Sequence, residues 1–138
     1  MNVIFDTNVV MDALANRQPF AEASTEAIAL AGDKGHRVAI TANTVTDLFF
    51  LLRKHFSNAE QAKTTLLRLV KTVAVLDTTR EICLLAFDSP VVDFEDAVLV
   101  ESAVKWGADC IVTRNTDDFA ASPIEAIEPD VFISRLVN

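Results

Sequence analysis

Short apolar runs rich in valine and isoleucine recur along the chain and predict β-strands. They occupy residues 2–5, 37–41, 72–76 and 109–113, with a weaker fifth run at 124–128. Most are apolar at nearly every position, which is typical of strands covered on both faces. The pattern therefore favours a mainly parallel sheet buried between helices.

Longer segments with apolar residues at helical spacing separate these runs. They predict helices at residues 20–34, 43–56, 58–71, 79–87, 93–106 and 129–136, and a further helix just after Asn8. Asn43 and Asn58 are placed to cap two helices, Gly35 to end one, and Pro129 suits a first helical turn. The alternation predicts an α/β fold, a three-layer α/β/α sandwich around four to five strands.

Composition narrows the class of protein. A length of 138 residues suits a single domain spanning 1–138, and the net charge is −8. This charge argues against coating nucleic acid by bulk electrostatics, because phosphate binding usually requires a basic face. It remains compatible with a nuclease whose metal ions neutralise a local acidic pocket, and it suits a basic protein partner.

The sequence shows no signal for secretion or membrane insertion, and its cysteines and histidines do not suggest a catalytic or metal site. The N-terminus lacks the pattern of a signal peptide, and the apolar run 48–52 is too short to span a bilayer, so we expect a cytoplasmic protein without membrane contact. Cys83 and Cys110 lie in apolar surroundings and are expected to be buried free thiols. His36 and His55 are expected to have no catalytic role.

Asp6 directly follows the first predicted strand. In open parallel sheets, ligands bind beyond the carboxyl ends of the strands, so this carboxylate is expected at the ligand-binding edge. Thr7 and Asn8 can orient it or cap the next helix. Asp6 as a plain N-cap is the alternative.

Two further acids fall on helix faces that otherwise look apolar. Asp47 shares a face with Thr44 and Leu51, and Asp96 aligns with a buried stripe. A lone carboxylate there would be costly. Asp93 is expected to be an N-cap, and Glu95 to point into solvent.

The stretch IVTRNTDDF at 111–119 places Asn115, Asp117 and Asp118 just after another predicted strand. Together with the earlier acids, three or four carboxylates converge on one end of the sheet, where like charges raise each other's pKa. A divalent cation would relieve this, and an all-oxygen set favours Mg²⁺ or Mn²⁺ over zinc.

Three stretches carry a family resemblance that runs over essentially the whole chain: VIFDTNVVMDAL, TANTVTDLFFLLRK and DFEDAVLVESAVKWGADCIVTRNTDDF. This series resembles the motifs of the PIN domain, and most closely those of small bacterial PIN proteins, many of which are VapC-type toxins of type II toxin–antitoxin modules.

The resemblance implies a parallel sheet flanked by helices and a Mg²⁺- or Mn²⁺-dependent endoribonuclease. It assigns the catalytic, metal-binding acids to Asp6, Asp47, Asp96 and Asp118. The supporting groups are Asn8, Asp93, Thr113, Asn115 and Asp117. Two positions depart from the family pattern: Asp47 is one methylene shorter than the usual glutamate, and Asn115 stands where some relatives carry an aspartate.

The same resemblance implies partners. We expect an RNA substrate, single-stranded or structured. Arg114 and Lys105 are candidate phosphate contacts, with a plain surface role as the alternative. A cognate antitoxin with a basic tail would insert an Arg or Lys among the carboxylates. Homodimerisation is also expected, with the apolar residues of 49–52 and 64–70 forming either a dimer face or part of the core.

Two other functions stay open. A haloacid-dehalogenase-like phosphatase would use Asp6 as a covalent nucleophile, but it needs an acid two residues later, where this chain has Asn8. A catalytically degenerate PIN-like scaffold that binds RNA or protein is the other alternative.

Overall fold

The computed structural model describes residues 1–138. Its strands are β1 (Asn2–Phe5), β2 (Arg37–Thr41), β3 (Ala74–Leu76), β4 (Cys110–Val112) and β5 (Ala126–Ile127). Its α-helices are α1 (Thr7–Leu14), α2 (Ala21–Asp33), α3 (Ala42–Phe56), α4 (Ala59–Thr72), α5 (Arg80–Phe87), α6 (Phe94–Trp106) and α7 (Pro129–Val137). A 3₁₀-helix (Thr116–Phe119) follows β4.

All five strands are parallel and lie in the order β3-β2-β1-β4-β5. The first strand is therefore central, with Val3 opposite Val38 of β2 on one side and Cys110 of β4 on the other. Because the strands are parallel, their carboxyl ends meet at one edge of the sheet. The segments that follow β1, β2 and β4 consequently start from neighbouring points.

Helices cover both faces of this sheet. Val3 and Phe5 pack with buried residues of α1, α2, α3, α4 and α7, whereas Ile4 between them packs with buried residues of α5 and α6. This alternation follows from the two-residue period of a strand. The expected three-layer α/β/α sandwich is confirmed.

The apolar spacing and capping residues of the sequence predicted most helix ends to within one or two residues of where the structure has them. Asn58 caps α4 as expected, its side chain accepting a hydrogen bond from the Gln61 N–H, but α3 is capped by Thr41 and not by Asn43. The Thr41 hydroxyl accepts from the Thr44 N–H at 3.3 Å, since the last residue of β2 is already in reach of the first helical turn. Cys83 is only half-buried, whereas Cys110 is buried as predicted.

The apolar runs 49–52 and 64–70 divide between core and surface. Leu52, Leu66 and Leu69 belong to the core. Phe50, Leu51 and Leu67 are exposed. None of the helices combines the length and hydropathy that a membrane span requires.

Truncating Phe132 should strongly destabilise the fold. Its fully buried ring meets Phe5 of the central strand edge-to-face, with centroids 5.9 Å apart. Phe132→Ala should lower the free energy of unfolding by about 3–5 kcal/mol in urea titrations, because it leaves a cavity under the sheet. The neighbouring Val131 is exposed, so Val131→Ala should change it by less than about 0.5 kcal/mol. Equal effects of the two changes would contradict this packing.

Candidate active site

A cavity of about 520 Å³ opens at the carboxyl edge of the sheet. It is lined by 14 residues, among them the acids Asp6, Asp47, Glu95 and Asp96. These acids come from the end of β1, from α3 and from the first turn of α6. The structure thus brings three of the four predicted site acids to one concave surface.

Asp6 is the most buried of these acids, with 8% of its surface exposed. One carboxylate oxygen accepts from the Thr7 N–H at 2.8 Å. The other accepts from the Thr113 hydroxyl at 2.8 Å and from the Asn8 side-chain amide at 3.1 Å. Asp6 therefore caps α1 and also faces the cavity, so the two interpretations of this residue hold together.

Burial, however, raises the pKa of Asp6, and the charge of Asp118 adds to the rise. The hydrogen bonds from Thr113, Thr7 and Asn8 oppose it by favouring the charged form. Asn8 ties the network together, since its amide also approaches the Thr113 hydroxyl at 3.3 Å and its side-chain oxygen accepts from the Arg114 N–H at 3.2 Å. The supporting positions Asn8 and Thr113 thus lie beside Asp6.

Asp96 lies in the first turn of α6, half-buried above the core stripe predicted for it. Burial is the largest cause that raises its pKa to about 7, followed by the charges of Asp6, Asp93 and Asp118. Asp93 is the N-cap of the helix, as expected, and accepts from the Asp96 N–H at 3.0 Å.

Glu95 is exposed, as expected, but it does not point away from the site. Glu95 lines the same cavity, and its carboxyl shares a hydrogen bond with that of Asp47 on α3. This bond, then burial and the charges of Asp47, Asp93 and Asp96, raise the pKa of Glu95 to about 7. The Glu95 carboxyl therefore holds its proton up to about pH 7.

The surroundings of Asp47 also differ from the prediction. The core face of α3 carries Thr44, Leu48 and Leu52. Asp47 is half-buried and faces the cavity together with the exposed Leu51. Asp47 therefore does not bear the cost of full burial on an apolar face, and its carboxyl lies beside that of Glu95.

Asp118 and Asp117 are exposed and line an adjoining cavity of about 550 Å³ that shares Asp96 with the first. Asn115 lines the first cavity, and its N–H donates to the Thr113 hydroxyl at 3.1 Å. No three Asp, Glu, His or Cys side chains stand close enough to form a ready-made metal cluster. The acids share one end of the molecule without being drawn together at coordination distances.

Of the two candidate phosphate contacts, only one lies at the cavity. Arg114 is half-buried and lines the cavity, whereas Lys105 is near the far end of α6 and pairs with Glu81 at 3.6 Å. Neither His36 nor His55 lines the cavity.

Two cavity-side residues escaped the sequence analysis. Asp12 of α1 is fully buried, and it holds both Arg114 and Arg17, which lines the cavity as well. An acid inside the apolar helix VVMDAL was the available signal for Asp12. No pattern pointed to Arg17.

Comparison with known proteins agrees with this architecture. The family model described as "PIN domain" matches residues 2–117. A search of curated proteins found no match.

Three solved structures illustrate the likeness in fold. VapBC2 from Rickettsia felis bound to a promoter DNA fragment contains a chain 18% identical, with a TM-score of 0.74, the match covering 93% of this chain and 98% of that one. The DNA-bound VapBC of Salmonella typhimurium gives 19% identity and a TM-score of 0.71, covering 94% and 98%. VapC20 of Mycobacterium tuberculosis, a Sarcin-Ricin loop cleaving toxin, is 17% identical with a TM-score of 0.70. The match covers 90% of this chain and 98% of that one.

Removing the Glu95 carboxyl should change how stability depends on pH. Its pKa is about 7 in the folded chain and near the ordinary 4.5 in the unfolded chain, so between these values only the folded state holds the proton. The stability this proton gives is complete below pH 4.5 and is lost as the pH rises to about 7. In urea titrations without divalent cations, wild type should therefore lose more unfolding free energy over this range than Glu95→Gln.

Glu26→Gln provides the control, because Glu26 is exposed on α2 and lines neither of the two acidic cavities. This variant should follow the wild-type pH curve. If Glu95→Gln followed it too, the raised pKa of Glu95 would be excluded.

Proposed function

The chain belongs to the PIN domain family, and from that premise we propose that it is an endoribonuclease that hydrolyses RNA phosphodiester bonds with Mg²⁺ or Mn²⁺. The observation that carries the proposal is the shared cavity at the carboxyl edge of the sheet, which Asp6, Asp47 and Asp96 all line. Burial is the largest cause that raises the pKa of Asp6 and of Asp96, and the charge of Asp118 adds to both rises. Such a group gains most from a bound cation.

The donor set fits a hard divalent cation. Asp6, Asp96 and Asp118 would hold it, with Asp47 contributing directly or through water. All are oxygen donors, and no histidine or cysteine lines either cavity. When bound, the metal would lower the pKa of a water and stabilise charge on the phosphate.

The chain's own residues have separate tasks in this scheme. Thr113, Asn8 and the Thr7 N–H fix the Asp6 carboxylate and oppose the rise in its pKa. The only hydroxyls in the cavity wall, those of Thr7 and Thr44, are 3.0 Å apart and hydrogen-bonded to each other. Attack by water therefore suits this cavity better than attack by a side chain. The phosphatase alternative is disfavoured because Asn8 donates to Asp6 where that chemistry needs an acid.

We further propose that the enzyme is a cytoplasmic toxin with a cognate antitoxin and that it forms a homodimer. Support for the antitoxin comes from the fold shared with chains of VapBC complexes. An Arg or Lys from a basic antitoxin tail could enter the carboxylate cavity and displace the metal. Phe50 and Leu51 line that cavity, which leaves them less suited to a dimer face than expected.

A catalytically silent scaffold that binds RNA or protein is the second candidate. One observation favours it: the acids form no ready-made metal cluster. The shorter Asp47, already paired with Glu95, is consistent with it.

Replacing Asp6 should abolish cleavage. Asp6→Asn keeps the shape of the side chain but removes the central charge, so cleavage of single-stranded RNA with Mg²⁺ should fall at least about 100-fold. Asp33→Asn makes the same change on an exposed residue at the end of α2 and should cleave like wild type. Undiminished cleavage by Asp6→Asn would overturn the metal site, and absence of cleavage by wild type with either metal would favour the scaffold.

A further inference from the structure

Asp12 carries a carboxylate with no exposed surface in the wall behind the acidic cavity. Its oxygens accept hydrogen bonds from two arginines that lie far apart in sequence. Arg17 Nε donates at 2.8 Å, and Arg114 donates through Nε at 2.5 Å and through Nη2 at 3.3 Å. A buried, fully paired acid thus links two guanidinium groups.

Two arginines pair with Asp12, which is one more than a single buried acid requires. A buried carboxylate needs a compensating charge, and a single arginine supplies it. The second arginine leaves the group of three with a net positive charge. Both arginines line the acidic cavity, and the side chains of Arg17 and Arg114 remain 39% and 28% exposed. They are the only cations among the residues that line it.

Both guanidinium groups are also fixed in orientation. The Arg114 guanidinium lies 4.0 Å from the ring centroid of Phe20, and Arg17 Nη2 donates to the Asn8 carbonyl at 3.4 Å. A guanidinium has five N–H groups, and the hydrogen bonds described above use only two of them in each arginine. The remaining donors are available to a ligand without the entropic cost of ordering a free side chain.

The unused donors of both arginines suit an anion from outside the chain. Neither arginine forms an ion pair with Asp6, Asp47, Glu95 or Asp96, although all share the cavity. A paired, planar set of N–H donors matches the oxygens of a phosphate. In a chain of net charge −8, two cations held together beside the acids mark the place where a phosphate can approach.

We propose that Arg17 and Arg114 bind a backbone phosphate of the RNA that flanks the one being cleaved, and that Asp12 is the positioning residue that aims them. This inference rests on the proposed function. It adds a substrate-binding subsite on the cavity wall formed by α1 and the loop after β4.

The test measures binding of a labelled single-stranded RNA in EDTA over a series of KCl concentrations, so that binding is observed without cleavage. Each phosphate contact with a single strand contributes about 0.7 to the slope of log affinity against log salt. Arg17→Gln should weaken binding about tenfold and reduce the slope by about 0.7. Arg17→Lys should keep the slope because it keeps the charge. Arg68→Gln, on the exposed face of α4, should match wild type.

Asp12→Asn separates orientation from charge. Both arginine charges remain and the one negative charge of the group is lost, so charge alone would strengthen binding. If Asp12 aims the arginines, affinity should instead fall, and affinity at or above that of wild type would refute its positioning role. If wild type cleaves RNA with Mg²⁺ but Arg17→Gln binds with the slope and affinity of Arg68→Gln, the subsite is refuted and the nuclease stands. If wild type neither binds nor cleaves RNA, both proposals fail.

Discussion

The hydrogen bonds to the Asp6 carboxylate hold together the segments that meet at the carboxyl edge of the sheet. Thr113 and Asn8 bring the end of β4 and the start of α1 onto the end of β1, across 107 positions of sequence in the case of Thr113. A carboxylate with 8% exposure is costly unless such donors satisfy it. The central position of β1 makes this meeting possible, because the parallel neighbour β4 ends at the same edge. The geometry of the cavity follows from this one anchored charge.

Charge is distributed unevenly around that anchor. On one side, Asp96 and the Asp47–Glu95 pair lie where burial and neighbouring acids raise the pKa of Asp96 and Glu95 to about 7. On the other, Asp12 holds Arg17 and Arg114 beside the same cavity. An acidic half that gains from a cation and a basic half with unused N–H donors suit a metal-assisted reaction on a phosphodiester. The overall charge of −8 does not oppose this, because the site supplies its own local cations.

Sequence reasoning reached the fold and most of the acids for physical reasons. Unbroken apolar runs predicted the parallel sheet, and in such a sheet an acid directly after a strand, such as Asp6, must lie at the ligand-binding edge. Glu95 is exposed as expected, but its place in the cavity was missed because its neighbour Asp47 comes from another helix, which helical periodicity does not describe. Arg17 was missed because its partner, Asp12, is buried by tertiary packing that periodicity does not describe. The assignment of roles to Asp6, Asp47, Asp96 and Asp118 remains a prediction.

Calorimetric titration of Mg²⁺ and Mn²⁺ into the purified protein above pH 7 tests the central claim most directly, because it asks whether the carboxyls around Asp6 bind a cation together. The account predicts saturable binding to wild type and to Asp33→Asn, and at least about tenfold weaker binding to Asp96→Asn, which removes one charged ligand. Wild type that binds neither metal, or Asp96→Asn that binds as tightly as wild type, would contradict it.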